Sequence, residues 1–239
     1  MLRLRSFLFA AWFIGALVAL GLVCLPLLLL PRNEALFAVR LWSRTIIFGL
    51  KLICGVRCEV RGLEHVPPGS LLVAAKHQST LDTIVPFAAL HEPCFALKSE
   101  LLKLPFYGWF AARAGMIPID RGGHSTALRA LVRRAKARMI TPAQLVIFPE
   151  GTRQPVGAPP AYKPGVAGLY RELELPCVLM ATNSGQVWLG KGFKIRPGLA
   201  VFEILPPIPP GLKRAVFMAE IEKRIEEATD RLVAENNQV

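Results

Sequence analysis

The sequence predicts an α/β fold: a mostly parallel central sheet flanked by helices, with an N-terminal membrane-anchoring helical region ahead of it. Three observations lead there. Most of the excess hydrophobicity of a 239-residue chain that is 53% hydrophobic lies in residues 1–55. From residue 57 onward, short apolar runs alternate with stretches of helical period, as in a sheet whose strands are joined by crossover helices. The polar clusters that stand out follow apolar runs directly, and in such sheets binding groups gather beyond the carboxyl ends of strands.

Taken in order, residues 6–30 hold 25 positions without a charge, preceded by Arg3 and Arg5. That run is long enough to cross a hydrocarbon core of about 30 Å. It exceeds the roughly 7–15 apolar residues of a signal peptide and ends without a small-x-small site, so it reads as a retained anchor with a kink at Pro26. Arg32 and Arg40 beyond it nearly balance Arg3 and Arg5, so the charge distribution does not fix an orientation. Residues 34–55 are also apolar, yet Arg40, Arg44 and Lys51 share one side, with Trp42, Ile46, Gly49 and Ile53 opposite. This predicts a basic amphipathic helix, either in the headgroup layer or packed on the globular part with a solvated charged stripe. The chain thus divides into an anchor region, 1–55, and an α/β domain, 56–239.

Strands are expected at 57–61, 70–75, 93–97, 116–119, 144–148, 177–182 and 199–204. Helices are expected at 83–90, 106–114, 125–139 and 212–234, the last after the break Pro206-Pro207-Ile208-Pro209-Pro210.

Net charge is +12, from 29 Lys and Arg against 17 Asp and Glu, which favours anionic partners: phospholipid headgroups, phosphorylated substrates or acidic carriers. Zinc-finger spacing, RNA-binding signatures and interleaved basic and aromatic residues are all missing, so a nucleic-acid partner is not expected. The five cysteines are odd in number, contain no C-x-x-C pair and have no His cluster beside them. They read as reduced, packed thiols, and no metal site is expected.

The apolar run 70–75 switches abruptly to Lys76-His77-Gln78-Ser79-Thr80-Leu81-Asp82. Five residues along a continuous helix would rotate by about 500° and separate His77 from Asp82, so they meet only if the intervening turn folds back. Should they meet, the carboxylate holds one imidazole nitrogen and the other is free to take a proton from a hydroxyl. Ser79-x-x-Asp82 also fits a capping box, in which Asp82 merely closes a helix start. Two further segments join them. Gly115-Met116-Ile117-Pro118-Ile119-Asp120-Arg121 and Phe148-Pro149-Glu150-Gly151-Thr152-Arg153 each bring an arginine just past a strand. The planar guanidinium fork suits phosphate, and glycine lets backbone amides approach a ligand.

Together these segments resemble the glycerolipid acyltransferases, and within them the 1-acylglycerol-3-phosphate (lysophosphatidic acid) acyltransferase family. His-x4-Asp matches His77 and Asp82, Gly-x-Ile-x-Ile-Asp-Arg matches residues 115–121, and Phe-Pro-Glu-Gly-Thr-Arg matches residues 148–153. A strand with an internal proline corresponds loosely to residues 175–178, and the likeness covers roughly 57–205. Lys76 stands where the family often has Asn, and Pro118 where it has an aromatic, which leaves acceptor preference open.

The resemblance implies direct acyl transfer, without a resident cofactor, from acyl-CoA or acyl carrier protein to the sn-2 hydroxyl of lysophosphatidic acid. His77 is the implied general base and Asp82 its orienting partner. Arg121 and Arg153 are implied to hold the acceptor phosphate, with Lys98 an added contact, while Glu150, Gly151 and Thr152 shape the glycerol pocket. The implied setting is the phospholipid bilayer of an inner (cytoplasmic) membrane, with the catalytic domain facing the cytosol. Two alternatives remain open: an acceptor such as a lyso-ornithine lipid, and a non-catalytic basic membrane-binding protein.

Overall fold

The computed structural model describes residues 2–119, 124–190 and 192–237. In the N-terminal region, α1 (Leu2–Val23) and α2 (Arg32–Gly49) lie against each other. A 3-10 turn at Leu25–Leu29 joins them. The long apolar run therefore breaks rather than kinks, because Pro26 lacks the amide an α-helix would need at that point. A π-turn, Leu50–Cys54, extends α2. There follow β1 (Val56–Arg61), β2 (Leu71–Ala75), α3 (Val85–Ala89), β3 (Pro93–Lys98), α4 (Tyr107–Arg113) and β4 (Ile117–Ile119). The remainder comprises α5 (His124–Arg138), β5 (Gln144–Ile147), α6 (Gly165–Leu173), β6 (Cys177–Thr182), β7 (Trp188–Leu189), β8 (Lys194–Ile195), β9 (Gly198–Ile208) and α7 (Arg214–Asn237).

Seven strands form one sheet in the order β1-β9-β6-β2-β5-β3-β4. Its neighbours run parallel except β6 and β9, so β1 and β9 point against the rest. Strand β2 sits in the middle with every residue buried. Its side chains alternate between two layers, as the strand period of 2 requires. Leu71, Val73 and Ala75 join a core with α1, α2, α3 and α4, while Leu72 and Ala74 join Ile221 and Ile225 of α7 on the other face.

The short strands β7 and β8 were not expected, and α6 and β9 differ from expectation for local reasons. The unforeseen α6 starts at Gly165 and carries Gly168 in its interior, where glycine costs about 1 kcal/mol in helix propensity, so propensity argues against it and packing of its apolar face decides. Strand β9 continues past Ile204 through Pro206 and Pro207, because those prolines fall where the register against β6 shifts between Cys177 and Leu179 and no ladder amide is required.

Among the described residues α1 is the helix long and apolar enough to cross a membrane, with only 11% of its apolar window buried. Phe7, Ile14, Val18 and Leu22 face outward. Its two ends are nonetheless held to the same body. The Ile195 amide donates to Ser6 Oγ at 3.2 Å near one end, and Arg113 Nε donates to the Leu28 carbonyl at 3.0 Å just past the other. Phe9, Leu36, Ile46 and Leu50 are buried in the same core as Val73, so packing is continuous across residue 55, where composition changes. Within the basic stripe of α2, Arg40 donates to the carbonyls of Leu90 and His91, whereas Arg44 stays exposed.

Candidate active site

The backbone amide of Lys76 donates to the Met180 carbonyl at 2.9 Å, continuing the β2–β6 ladder by one residue. His77 comes next, and the chain folds back through Gln78 and Ser79 into a 3-10 turn, Thr80–Thr83. The reversal brings His77 Nδ1 to 3.0 Å from Asp82 Oδ2. Oδ2 also accepts from the amides of Gln78 and Ser79, at 2.6 and 2.7 Å. Both functions of Asp82 are thus realised at once: the capping box is complete, and the same carboxylate holds the imidazole. On its other oxygen, Oδ1 accepts from the Ser184 hydroxyl and lies 3.3 Å from Ser79 Oγ. Only 2% of Asp82 is exposed, and this ring of donors offsets the cost of burying its charge. With Nδ1–H directed at a carboxylate, Nε2 keeps its lone pair.

The backbone and ring of His77 are fixed from several sides. Its amide donates to Glu150 Oε2 at 2.9 Å, and its carbonyl accepts from the Gln154 amide at 2.8 Å. Phe148 stacks on the imidazole, centroids 3.9 Å apart and planes within 15°. Behind the turn, the Gly185 amide donates to Gln78 Oε1 at 3.0 Å. Any Cβ at Gly185 would come within 2.7 Å of Val156 Cγ2, so the approach needs glycine.

His77 opens onto a cavity of about 1210 Å³. Gly151, Thr152 and Arg153 line its polar part together with Lys98, while Phe13, Leu17, Leu20, Trp42, Phe106 and Phe110 line its apolar part. Gly151 has φ 67°, a conformation that strains any other residue. Thr152 and Arg153 are exposed at the rim. Lys98 is half exposed and pairs with Glu100 at 3.0 Å. Arg121 lies outside the described residues.

Glu150 departs from its expected place in the glycerol pocket. It is 1% exposed, and its Oε1 lies 2.7 Å from Lys76 Nζ. A carboxylate so buried takes the nearest cation, so it is spent on the protein rather than presented to a ligand. Burial pushes its pKa up, and Lys76 pulls it back. Ser184, Phe148 and Lys76 are site residues that pattern reading missed. Ser184 follows β6 as His77 follows β2, and adjacent parallel strands bring such positions together, but no local motif marks it.

Comparison with known proteins identifies the family. The family model described as Acyltransferase matches residues 57–182, from β1 through β6. A 1-acyl-sn-glycerol-3-phosphate acyltransferase of Pseudomonas aeruginosa is 35% identical over 205 residues, covering 85% of this chain and 79% of that protein. The alpha 1-acyl-sn-glycerol-3-phosphate acyltransferase of Ovis aries is 32% identical over 174 residues, which is 71% of this chain but only 61% of its own length. The crystal structure of the 1-acyl-sn-glycerophosphate acyltransferase PlsC from Thermotoga maritima superposes with a TM-score of 0.81, covering 97% of this chain and 98% of that one. At 21% identity, that last likeness is one of fold. Because the family match spans the motif-bearing strands and the bacterial relative's identity extends well beyond them on both sides, this chain belongs to the acyltransferase family.

Proposed function

We propose that the protein transfers a fatty acyl group from a thioester, acyl-CoA or acyl carrier protein, to the sn-2 hydroxyl of 1-acylglycerol 3-phosphate, giving phosphatidic acid. The observation that carries this is the His77–Asp82 pair, 3.0 Å apart, on the wall of a mostly apolar cavity of about 1210 Å³ that Thr152, Arg153 and Lys98 also line. Such a cavity suits a molecule with a charged head and a hydrocarbon tail. The names of the relatives supply the acceptor.

In the proposed reaction the acceptor hydroxyl oxygen attacks the thioester carbon while His77 Nε2 takes its proton. Asp82 offsets the charge of the resulting imidazolium through Nδ1–H. The tetrahedral intermediate then collapses, the C–S bond breaks, and the imidazolium returns the proton to the departing thiolate. The products are an ester and a free thiol. The chemistry draws on the co-substrate's thioester and on no resident cofactor. Arg153, exposed at the rim, and Arg121 hold the acceptor phosphate, with Thr152 beside the glycerol. The outward apolar face of α1, tethered at both ends, lies in one leaflet of a bacterial cytoplasmic membrane with the catalytic domain on the cytosolic side. The cavity then opens beside its lipid substrate.

The test offers lysophosphatidic acid and lyso-ornithine lipid side by side, with labelled acyl donor, to membranes containing the protein. Formation of phosphatidic acid that disappears in His77→Ala is the expected result. Transfer only to the phosphate-free acceptor would overturn the roles of Arg121 and Arg153, and full activity in His77→Ala would remove the general base.

A further inference from the structure

Successive side chains of a strand point to opposite faces, and at the end of β2 this separates two neighbours. His77 lines the cavity on the α1 face, whereas Lys76 continues the series Leu72, Ala74 toward α7. There it is 3% exposed and surrounded by acceptors. Its Nζ lies 2.7 Å from Glu150 Oε1 and donates to both oxygens of Glu226, at 2.7 and 2.9 Å. Three carboxylate oxygens thus surround the ammonium group, two of Glu226 as hydrogen-bond acceptors and one of Glu150 as an ion-pair partner. Tyr162 completes the cluster by donating to Glu226 Oε1 at 2.8 Å. Glu150, on its other oxygen, accepts the backbone amide of His77 at 2.9 Å. An unbroken line of short contacts thus runs from the C-terminal helix, through the sheet, to the backbone of the base.

We propose that Lys76, clamped between Glu150 and Glu226, is a positioning residue for His77, and that α7 contributes to turnover through Glu226. The inference rests on His77 being the general base. One buried and one partly exposed carboxylate share one ammonium, and the arrangement stays in place only while Lys76 carries its charge. Burial opposes that charge, but the two carboxylates outweigh it and raise the Lys76 pKa. The groups acting on Glu150 are Lys76 from the end of β2, Glu226 from α7 and the His77 amide, while Tyr162, from the loop before α6, feels Glu150, Glu226 and Glu222 together. Without Lys76 the strongest influence lowering the Glu150 pKa is gone while Glu226 still raises it. Glu150 then takes up a proton at higher pH and loses strength as the acceptor of the His77 amide.

The test measures kcat, KM and pH profile for lysophosphatidic acid in the full-length protein, in Lys76→Met, Lys76→Arg, Glu226→Gln and the Lys76→Met/Glu226→Gln double variant. Lys76→Met is expected to lose about tenfold or more in kcat, with KM within about twofold, since a hydrogen bond to a charged group is being weakened at a distance from the substrate. Its acid limb moves to higher pH. The double variant, which removes the surplus carboxylate, moves that limb back, and Lys76→Arg retains most of kcat. If Lys76→Met does not accumulate as folded protein, Glu226→Gln decides, with kcat expected to fall at least about threefold at unchanged KM. Wild-type kcat and pH profile in Lys76→Met, or wild-type kcat in Glu226→Gln, overturns the proposal, as does a KM that rises in step with any loss. An inactive wild-type protein would instead overturn the acyl-transfer reading, so the two failures are distinct.

Discussion

Asp82→Asn alters one charge and almost nothing of the shape. The amide oxygen can take the place of Oδ2 and keep accepting from His77 Nδ1 and from the amides of Gln78 and Ser79, while the NH2 group faces the hydroxyls of Ser79 and Ser184, which can accept. Each of the three bonds to Oδ2 weakens from a charged to a neutral one, about 1 kcal/mol apiece, so stability should fall by about 3 kcal/mol. The rate should fall further than that loss of anchoring suggests. When His77 carries the proton, its positive charge sits ~4 Å from the carboxylate, and at an effective dielectric near 20 that attraction is about 4 kcal/mol. At about 1.36 kcal/mol per decade, losing it slows kcat roughly a thousandfold. Initial rates with labelled donor, on protein whose folding is checked by thermal unfolding, measure this. A folded Asp82→Asn within about tenfold of wild type would refute the claim that the carboxylate stabilises the protonated ring.

Ser184→Ala removes one donor to Asp82 Oδ1 without touching the cavity. It should lower kcat about tenfold, the value of one charge-assisted hydrogen bond, with KM unchanged, in the same assay. On α1, Phe7 and Ile14 are 70% and 57% exposed. Phe7→Asp with Ile14→Asp should leave the fold intact while removing about 4 kcal/mol of apolar burial in lipid, shifting partition onto anionic vesicles roughly a thousandfold in a flotation assay. Unchanged partition would show that α1 is not the contact surface. Deleting residues 1–55 is a poorer probe, because it strips Phe9, Leu36, Ile46 and Leu50 from the core.

The fold was legible wherever pattern and packing agree. Strands such as β2 and β6, buried on both faces, are continuous apolar runs bounded by Pro and Gly, and they stand where expected. Elements whose signal is diluted, such as α6 with its two glycines, were not legible, since only contacts distant in sequence make them worthwhile. At the site, spacing left the pairing of His77 and Asp82 open beside a capping box, and the resemblance carried by residues 77–82, 115–121 and 148–153 together pointed to it. Glu150 was misread because its motif fixes where the backbone goes, whereas the direction of its side chain depends on Lys76 and Glu226, 74 and 76 positions away in opposite directions. Ser184 offers no signal of its own beyond following a strand.

Helix α1 serves two masters on two faces. Phe13, Leu17 and Leu20 line the reaction cavity, while Phe7, Ile14, Val18 and Leu22 look outward. On this side a single helix, about 10–12 Å across with its side chains, therefore forms the wall of the cavity. The two sets of positions interleave in sequence without overlapping. Adaptation to a thinner or stiffer membrane and adaptation to a longer or shorter acyl chain can accumulate on the same 22-residue segment, each leaving the other undisturbed.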